Sequence, residues 1–210
     1  MESVNNAASN EAGVAALGLI ASLYGERLAT TTAEAPVGDG LLKLVGVTVS
    51  VHGARARVFY VSPSQINFQL PWNLTPGPVA ITVFVNGAPS NTVVALATNY
   101  APGIFAVTHE DGQLVSPESA ARPGETVVLW ATGLGPFRAG STEERDVAVP
   151  PDVLLGEQPA EVELARGTTG FAGLYHVWIR IPPDVLLGAA LTLELSVGGR
   201  ATTIPLAVSR

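Results

Sequence analysis

The sequence predicts an all-β chain of two tandem domains related by internal duplication, and three observations carry the prediction. The first is a repeat. Ile66-Asn67-Phe68-Gln69-Leu70-Pro71, followed by Gly77 and the alternating Val79, Ile81, Val83 and Val85, returns as Val177-Trp178-Ile179-Arg180-Ile181-Pro182, then Gly188, then Leu191, Leu193, Leu195 and Val197. A period of about 110 residues is too long for a solenoid unit and fits a whole small β-domain. The second is punctuation: 22 Gly and 16 Pro fall between apolar runs, which is how strands joined by turns read. The third is size. A chain of 210 residues, 47% hydrophobic, allows two domains of about 100 residues, each able to bury roughly two-thirds of its unfolded surface.

The elements follow in order. Residues 12–24 hold Ala and Leu that would suit a helix, but 19–24 reads as a strand because Leu23-Tyr24-Gly25 with Leu28 parallels Leu129-Trp130-Ala131 with Leu134. Residues 45–51 alternate and close at Gly53; 55–61 are cut off by Ser62-Pro63. From 65 to 70 the alternation is strict, with Ile66, Phe68 and Leu70 toward a core and Gln65, Asn67 and Gln69 outward; Pro71 ends the strand because it cannot donate to a ladder. Residues 79–85 run into Asn86-Gly87, a type I′ hairpin signal, and 93–97 return. The junction falls at 99–103, where Ala101-Pro102-Gly103 interrupts the pattern. In the second half, 126–131 is a continuous apolar run closed by Gly133-Leu134-Gly135-Pro136; 159–165 and 174–181 alternate; 191–197 turn at Gly198-Gly199 and return through 202–208. The irregular stretches 30–40 and 140–146 are the candidate variable loops, where function concentrates.

Composition excludes several function classes. The net charge is −7 with only 11 Lys and Arg, so the counterion release that drives nucleic-acid binding is not on offer and no nucleic-acid partner is expected. No cysteine is present, which removes disulfides, thiolate metal sites and a cysteine nucleophile together. The apolar stretch 14–24 is too short for a membrane span and has no basic leader, so no signal peptide is read in this chain. Either the protein is cytoplasmic or this is the mature part of a longer exported chain.

Enzyme signatures are scarce. His52, His109 and His176 lack ligand spacing, so no metal site and no cofactor is expected. There is no Gly-x-Ser-x-Gly elbow, and nothing in the sequence marks one serine as activated by a base, so no catalytic residue is assigned and the chain reads as a non-enzyme. Gly135-Pro136-Phe137-Arg138-Ala139-Gly140-Ser141-Thr142 has the glycine spacing of a phosphate loop, yet Ser141 stands where the lysine belongs, so it reads as a turn. Glu143, Glu144 and Asp146, with Asp152 as a further candidate, are too few oxygen ligands for calcium and read as a solvated loop. Lys43, the single lysine, has no evident partner for an intramolecular isopeptide bond.

The aromatic residues say more. Trp130, in its apolar strand, is expected in the core, and Trp72, after Pro71, either closes a sandwich or packs between domains. Trp178 falls on the opposite face from Tyr175, Val177, Ile179 and Ile181, in a row with His176 and Arg180. If exposed, that row suits a sugar or a protein partner; if covered, it is an interface. Trp178, His176, Arg180 and Trp72 are therefore the candidate binding residues.

On these residues the chain resembles the Solibacter-type C-terminal domain family of bacterial proteins. The resemblance spans nearly the whole chain and rests on Val4-Asn5-Asn6-Ala7-Ala8-Ser9, on the specific run Phe59-Tyr60-Val61-Ser62-Pro63-Ser64-Gln65-Ile66-Asn67-Phe68-Gln69-Leu70-Pro71-Trp72, on Ala101-Pro102-Gly103-Ile104-Phe105, on 123–136, and on Gly173-Leu174-Tyr175-His176-Val177. It implies two tandem immunoglobulin-like β-sandwich domains of IPT/TIG type, residues 1–100 and 101–210, in exported or cell-surface proteins, and it supplies no catalytic residues. Ala16-Leu17-Gly18 replaces the family's Pro-Gly, and Trp178 stands where Asn is usual. The function expected is a non-catalytic extracellular or cell-surface module for presentation, adhesion or self-assembly through open sheet edges. The alternatives are a carbohydrate-binding module using Trp178 or Trp72 and, less favoured, an enzyme of unrecognised type.

Overall fold

Alternation becomes burial strand by strand. Val47, Val49 and Val51 are buried while Thr48 and Ser50 are half-exposed, and Val79, Ile81 and Val83 repeat the pattern, because successive side chains in a strand point to opposite faces. The computed structural model describes residues 1–38, 40–140 and 145–210. Among these there is no helix, hence none long and apolar enough to cross a membrane.

The first half contains β1 (Ser3–Asn6), β2 (Val14–Ala16), β3 (Ile20–Tyr24), β4 (Ala33–Glu34), β5 (Val47–Val51), β6 (Ala54–Arg55), β7 (Arg57–Val61), β8 (Gln65–Gln69), β9 (Gly77–Val85) and β10 (Ala88–Thr98). They form two sheets, ordered β1-β3-β8-β7-β4 and β2-β10-β9-β5-β6. Asn86 and Gly87 have φ of 51° and 89°, the two positive values a type I′ turn needs to join β9 to β10. Strand β2 adds in parallel to β10, pairing Leu96 with Val14.

The second half contains β11 (Gly103–His109), β12 (Thr126–Thr132), β13 (Asp152–Leu155), β14 (Gln158–Gly167), β15 (Tyr175–Arg180), β16 (Gly188–Val197) and β17 (Arg200–Val208), in the order β11-β12-β15-β14-β13-β16-β17. The duplication is visible here as topology. The layer β11-β12-β15-β14 repeats β1-β3-β8-β7, and β17-β16-β13 repeats β10-β9-β5. Strand β14 belongs to both layers: 158–160 pair with β13 and 161–167 with β15. In the first half the same passage between layers is made by β6 and β7, with Ala56 between them. The fold is thus all-β, two tandem immunoglobulin-like sandwiches of matching strand order.

Each sandwich has its own core. One gathers buried residues from Val4 to Ala101 around Phe68, Leu23 and Ile81, the other from Ile104 to Val208 around Tyr175, Leu129 and Ile179. The repeated strand is equivalent in both: Ala21 faces Phe68 and Leu23 faces Ile66 across β3 and β8, as Val127 faces Ile179 and Leu129 faces Val177 across β12 and β15. Some outer strands are short: β4 and β6 have two residues each. Strand β11 exchanges backbone bonds with 113–115, whereas β10 is paired on its second side over 96–98 and β17 at its end with Ala121.

Two expectations need correction. Trp130 is not core: β12 turns its inward face with Val127, Leu129 and Ala131, which leaves Trp130 half-buried on the outer face. Gln69, expected outside, is buried, because the second sandwich lies against that end of β8 and the Gln69 amide donates to the Gly18 carbonyl at 3.1 Å.

Candidate functional site

Three places gather polar and aromatic side chains. The first is the row on β15. His176 meets Trp130 edge-on at a ring separation of 4.1 Å and Trp178 at 5.3 Å, an arrangement that sets ring edges against electron-rich faces. Burial without a partner at Nε2 pushes the His176 imidazole below its ordinary pKa. Arg180, at the end of the row, pairs with Glu163 and donates to the Gly124 carbonyl at 3.1 Å. The row is contiguous, but its members are occupied with one another and with Trp130 and Glu163.

Trp72 is elsewhere. It lies where the two sandwiches meet, its ring 5.5 Å from Phe137, which in turn stands 5.6 Å from Tyr175. A Cβ on Gly18 would fall inside the Trp72 ring, so glycine is what lets the indole seat. No ring contact joins Trp72 to Trp178 among the described residues. Hydrogen bonds also cross the junction. The Thr132 hydroxyl, fully buried, accepts from the Ile20 N–H at 3.0 Å and donates to the Gly173 carbonyl at 2.6 Å. The Asn6 amide donates to the Ala101 carbonyl at 2.9 Å while its oxygen accepts from the Ala8 N–H at 2.8 Å. Tyr100 sits against Gly135 and Gly198 of the second sandwich, and a side chain at Gly133, where φ is 76°, would overlap the Ala101 carbonyl. Tyr175 donates to the Gly135 carbonyl at 2.6 Å, and its burial pushes the phenol pKa up.

The second place is a basin of about 620 Å³ beside the end of β11. His109 Nδ1 is 2.5 Å from Glu125, and His109 Nε2 is 3.2 Å from the Ser119 hydroxyl, the outline of a hydrolytic triad. Nε2 also faces the Ser119 backbone carbonyl at 3.1 Å, and a carbonyl, like the carboxylate on Nδ1, only accepts. When protonated, the ring donates from both nitrogens, to Glu125 and to the Ser119 carbonyl; when neutral with its proton on Nδ1, it can instead accept from the Ser119 hydroxyl. The Glu125 contact raises the His109 pKa above its ordinary value against the opposing effect of burial, with the Ser119 carbonyl and the Asp111 charge assisting. In its protonated form the histidine ties the loop 116–119 to Glu125.

The third place is a cleft of about 450 Å³ between the sandwiches. Its floor is the outer face of β3 and β8. Ser22 donates to Asn67 Oδ1 at 3.0 Å and the Gln65 amide donates to the same oxygen at 2.8 Å. Its walls include Phe59 from the first sandwich and Phe105 and Phe171 from the second. Phe59 and Phe105 share a local cause. Each is the extra residue at a break in register, between Val58 and Tyr60 in β7 and between Ile104 and Ala106 in β11; such β-bulges re-aim a side chain. The candidate variable loop 30–40 supplies Ala35, Pro36, Val37 and Gly38 to this cleft, but none of the candidate binding residues lies here. The signal was present as the apolar runs Val58-Phe59-Tyr60-Val61 and Ile104-Phe105-Ala106-Val107, too continuous for strict alternation.

Of the acidic cluster, Asp146 forms an ion pair with Arg166 at 3.6 Å; Glu143 and Glu144, like Ser141 of the rejected phosphate loop, lie outside the described residues.

No family model matches the chain, and no curated protein matches it. Among solved structures it is similar to SGBP-B of the Bacteroides ovatus mixed-linkage glucan utilization locus, in complex with a mixed-linkage heptasaccharide. The identity is 14% over 94% of this chain and 44% of that one, with a TM-score of 0.41. The plexin A4 extracellular region gives 14% identity over 91% of this chain and 16% of that one, at a TM-score of 0.33. A tandem pair of titin Ig domains gives 11% identity over 93% and 91%, at 0.25. The chain spans less than half the length of the first two. The fold assignment stands on the strand pairing itself.

Proposed function

We propose that this chain is a non-catalytic module of the bacterial exterior, a double sandwich that holds two β-domains at one mutual setting and presents their combined surface. The observation that carries the reading is the junction. Trp72 packs against Gly18, while Thr132 bridging β3 to the Gly173 turn and Asn6 holding Ala101 bury polar groups with their partners satisfied, and such networks favour one arrangement over many. The resemblance to exported proteins supports the location. The contact of His109 Nε2 with the Ser119 backbone carbonyl supports a structural use for the one Ser–His–carboxylate grouping among the described residues.

Small-angle scattering and calorimetry test this. The expected results are a scattering curve that one fixed arrangement fits and a single unfolding transition, replaced in Trp72→Ala by two transitions and a broadened distribution of domain separations. Two independent transitions in the unaltered chain would overturn the reading.

A further inference from the structure

The cleft between the sandwiches has a chemistry that the module reading leaves unused. We propose that it is a binding site for a neutral oligosaccharide, with Asn67, Gln65 and Ser22 as the hydrogen-bonding floor and Phe59, Phe105 and Phe171 as the stacking walls. The proposal rests on the module reading in one respect: residues of both sandwiches line the cleft, so it persists only while they keep their setting.

Four observations carry it. Its volume, about 450 Å³, falls in the range of roughly 300–1,000 Å³ usual for small-ligand sites. None of the described residues that line it is charged, although the chain as a whole carries 29 ionisable Asp, Glu, Lys and Arg side chains; the site therefore selects against ions on desolvation grounds. The floor is already organised. With Asn67 Oδ1 accepting from both Ser22 and Gln65, the two amide protons on Asn67 and the carbonyl oxygen of Gln65 are what the row offers outward. A donor pair beside an acceptor is the complement of adjacent hydroxyls, each of which both donates and accepts. Finally, Phe105 is 42% and Phe171 41% exposed, and the first is brought out by a bulge at the cost of a ladder position. Large rings left open around one concavity mark a binding surface.

A pyranose matches both halves of this description. Its C–H face is apolar and weakly positive, suited to the negative face of a phenyl ring, while its equatorial hydroxyls point sideways to planar amides. A lipid would leave the amides of Asn67 and Gln65 without partners. A peptide captured by strand addition needs an open ladder, and the floor here is the face of a sheet whose β3, β8 and β7 ladders are already paired.

The experiment is titration of the intact chain, by calorimetry and by amide NMR, with soluble cello-, malto-, xylo- and manno-oligosaccharides of four to six units, in parallel with an anionic oligouronate and an uncharged Gly/Ser/Thr peptide. The expected result is saturable binding of at least one neutral sugar, with shifts centred on Ser22, Asn67 and Phe105. Each of Phe105→Ala, Phe171→Ala and Asn67→Ala should weaken it about tenfold or more. Both phenylalanines are partly exposed, so their variants retain the fold, checked by unchanged melting. Failure of every neutral sugar to bind, preference for the uronate or the peptide, or binding indifferent to all three substitutions would each overturn the proposal. Scattering on the same samples separates the two readings: a fixed domain setting with no sugar binding defeats this inference alone, whereas freely moving domains defeat the module reading beneath it.

Discussion

Strands β8 and β15 are copies of one strand with different outer faces. Inward, Ile66 and Phe68 correspond to Val177 and Ile179, all fully buried, because each core accepts only apolar side chains of similar volume. Outward, Gln65 and Asn67 lie on the floor of an open cleft, whereas His176 is packed edge-to-face with both Trp178 and Trp130. The aromatic row looks more like a binding surface in sequence and is the more self-satisfied in three dimensions. What makes a ring available to a ligand is whether its own sheet has already used its face.

The comparison can be broken or sharpened in stages. The largest effect is expected at the junction that gives β8 its cleft. Gly133→Ala places a side chain at positive φ against the Ala101 carbonyl, and overpacking plus left-handed strain should cost about 3 kcal/mol or more; calorimetry should show the sandwiches melting separately. Next are the faces themselves. Trp178→Ala should cost about 2 kcal/mol through lost ring contacts, seen as a lower urea midpoint for the second sandwich, while Asn67→Ala costs less than about 1 kcal/mol from a half-exposed polar row. Equal costs would remove the contrast.

The smallest effects are in pH dependence, and the two histidines oppose each other. His109 has a raised pKa, so the folded state holds its proton more tightly than the unfolded chain; its contribution is complete below the ordinary value of 6.5 and is lost as pH rises through the folded value. His176 has a lowered pKa, so its contribution is complete above 6.5 and is lost as pH falls toward its folded value. Urea midpoints from pH 5 to 8.5 should therefore gain in His109→Gln the upward slope that His176 imposes, and in His176→Gln the downward slope of His109. Parallel profiles for the two variants would refute the assignments.

Much of the fold is legible in the sequence because alternation, Gly and Pro act locally. Asn86-Gly87 specifies its hairpin by φ alone, and the repeat of Ile66-Phe68 in Val177-Ile179 announces two equivalent cores. Short strands such as β1 and β13 escape, since four residues carry too little period to read. Trp130 misleads because an unbroken apolar run hides which face is inward. The cleft is the least legible of all: Asn67 and Phe105 are 38 positions apart in the chain, and nothing local in either segment says that a second domain will stand opposite. The tie at His109 fails for the same reason, since its Glu125 partner lies across a loop and strand pairing brings them together.

The bulges at Phe59 and Phe105 behave as a phase slip in a two-beat register. On either side of each, the strand keeps time with its neighbour; at the slip, one beat is repeated and a side chain that parity would assign to one face goes to the other. A single-residue deletion at Phe59 or Phe105 is therefore not equivalent to truncating the ring to alanine. It closes the ladder: Val58 and Tyr60 already pair with the consecutive Phe68 and Asn67, and Ile104 and Ala106 with the consecutive Ala131 and Trp130, so the rest of each strand keeps its partners and faces while one wall of the cleft is erased.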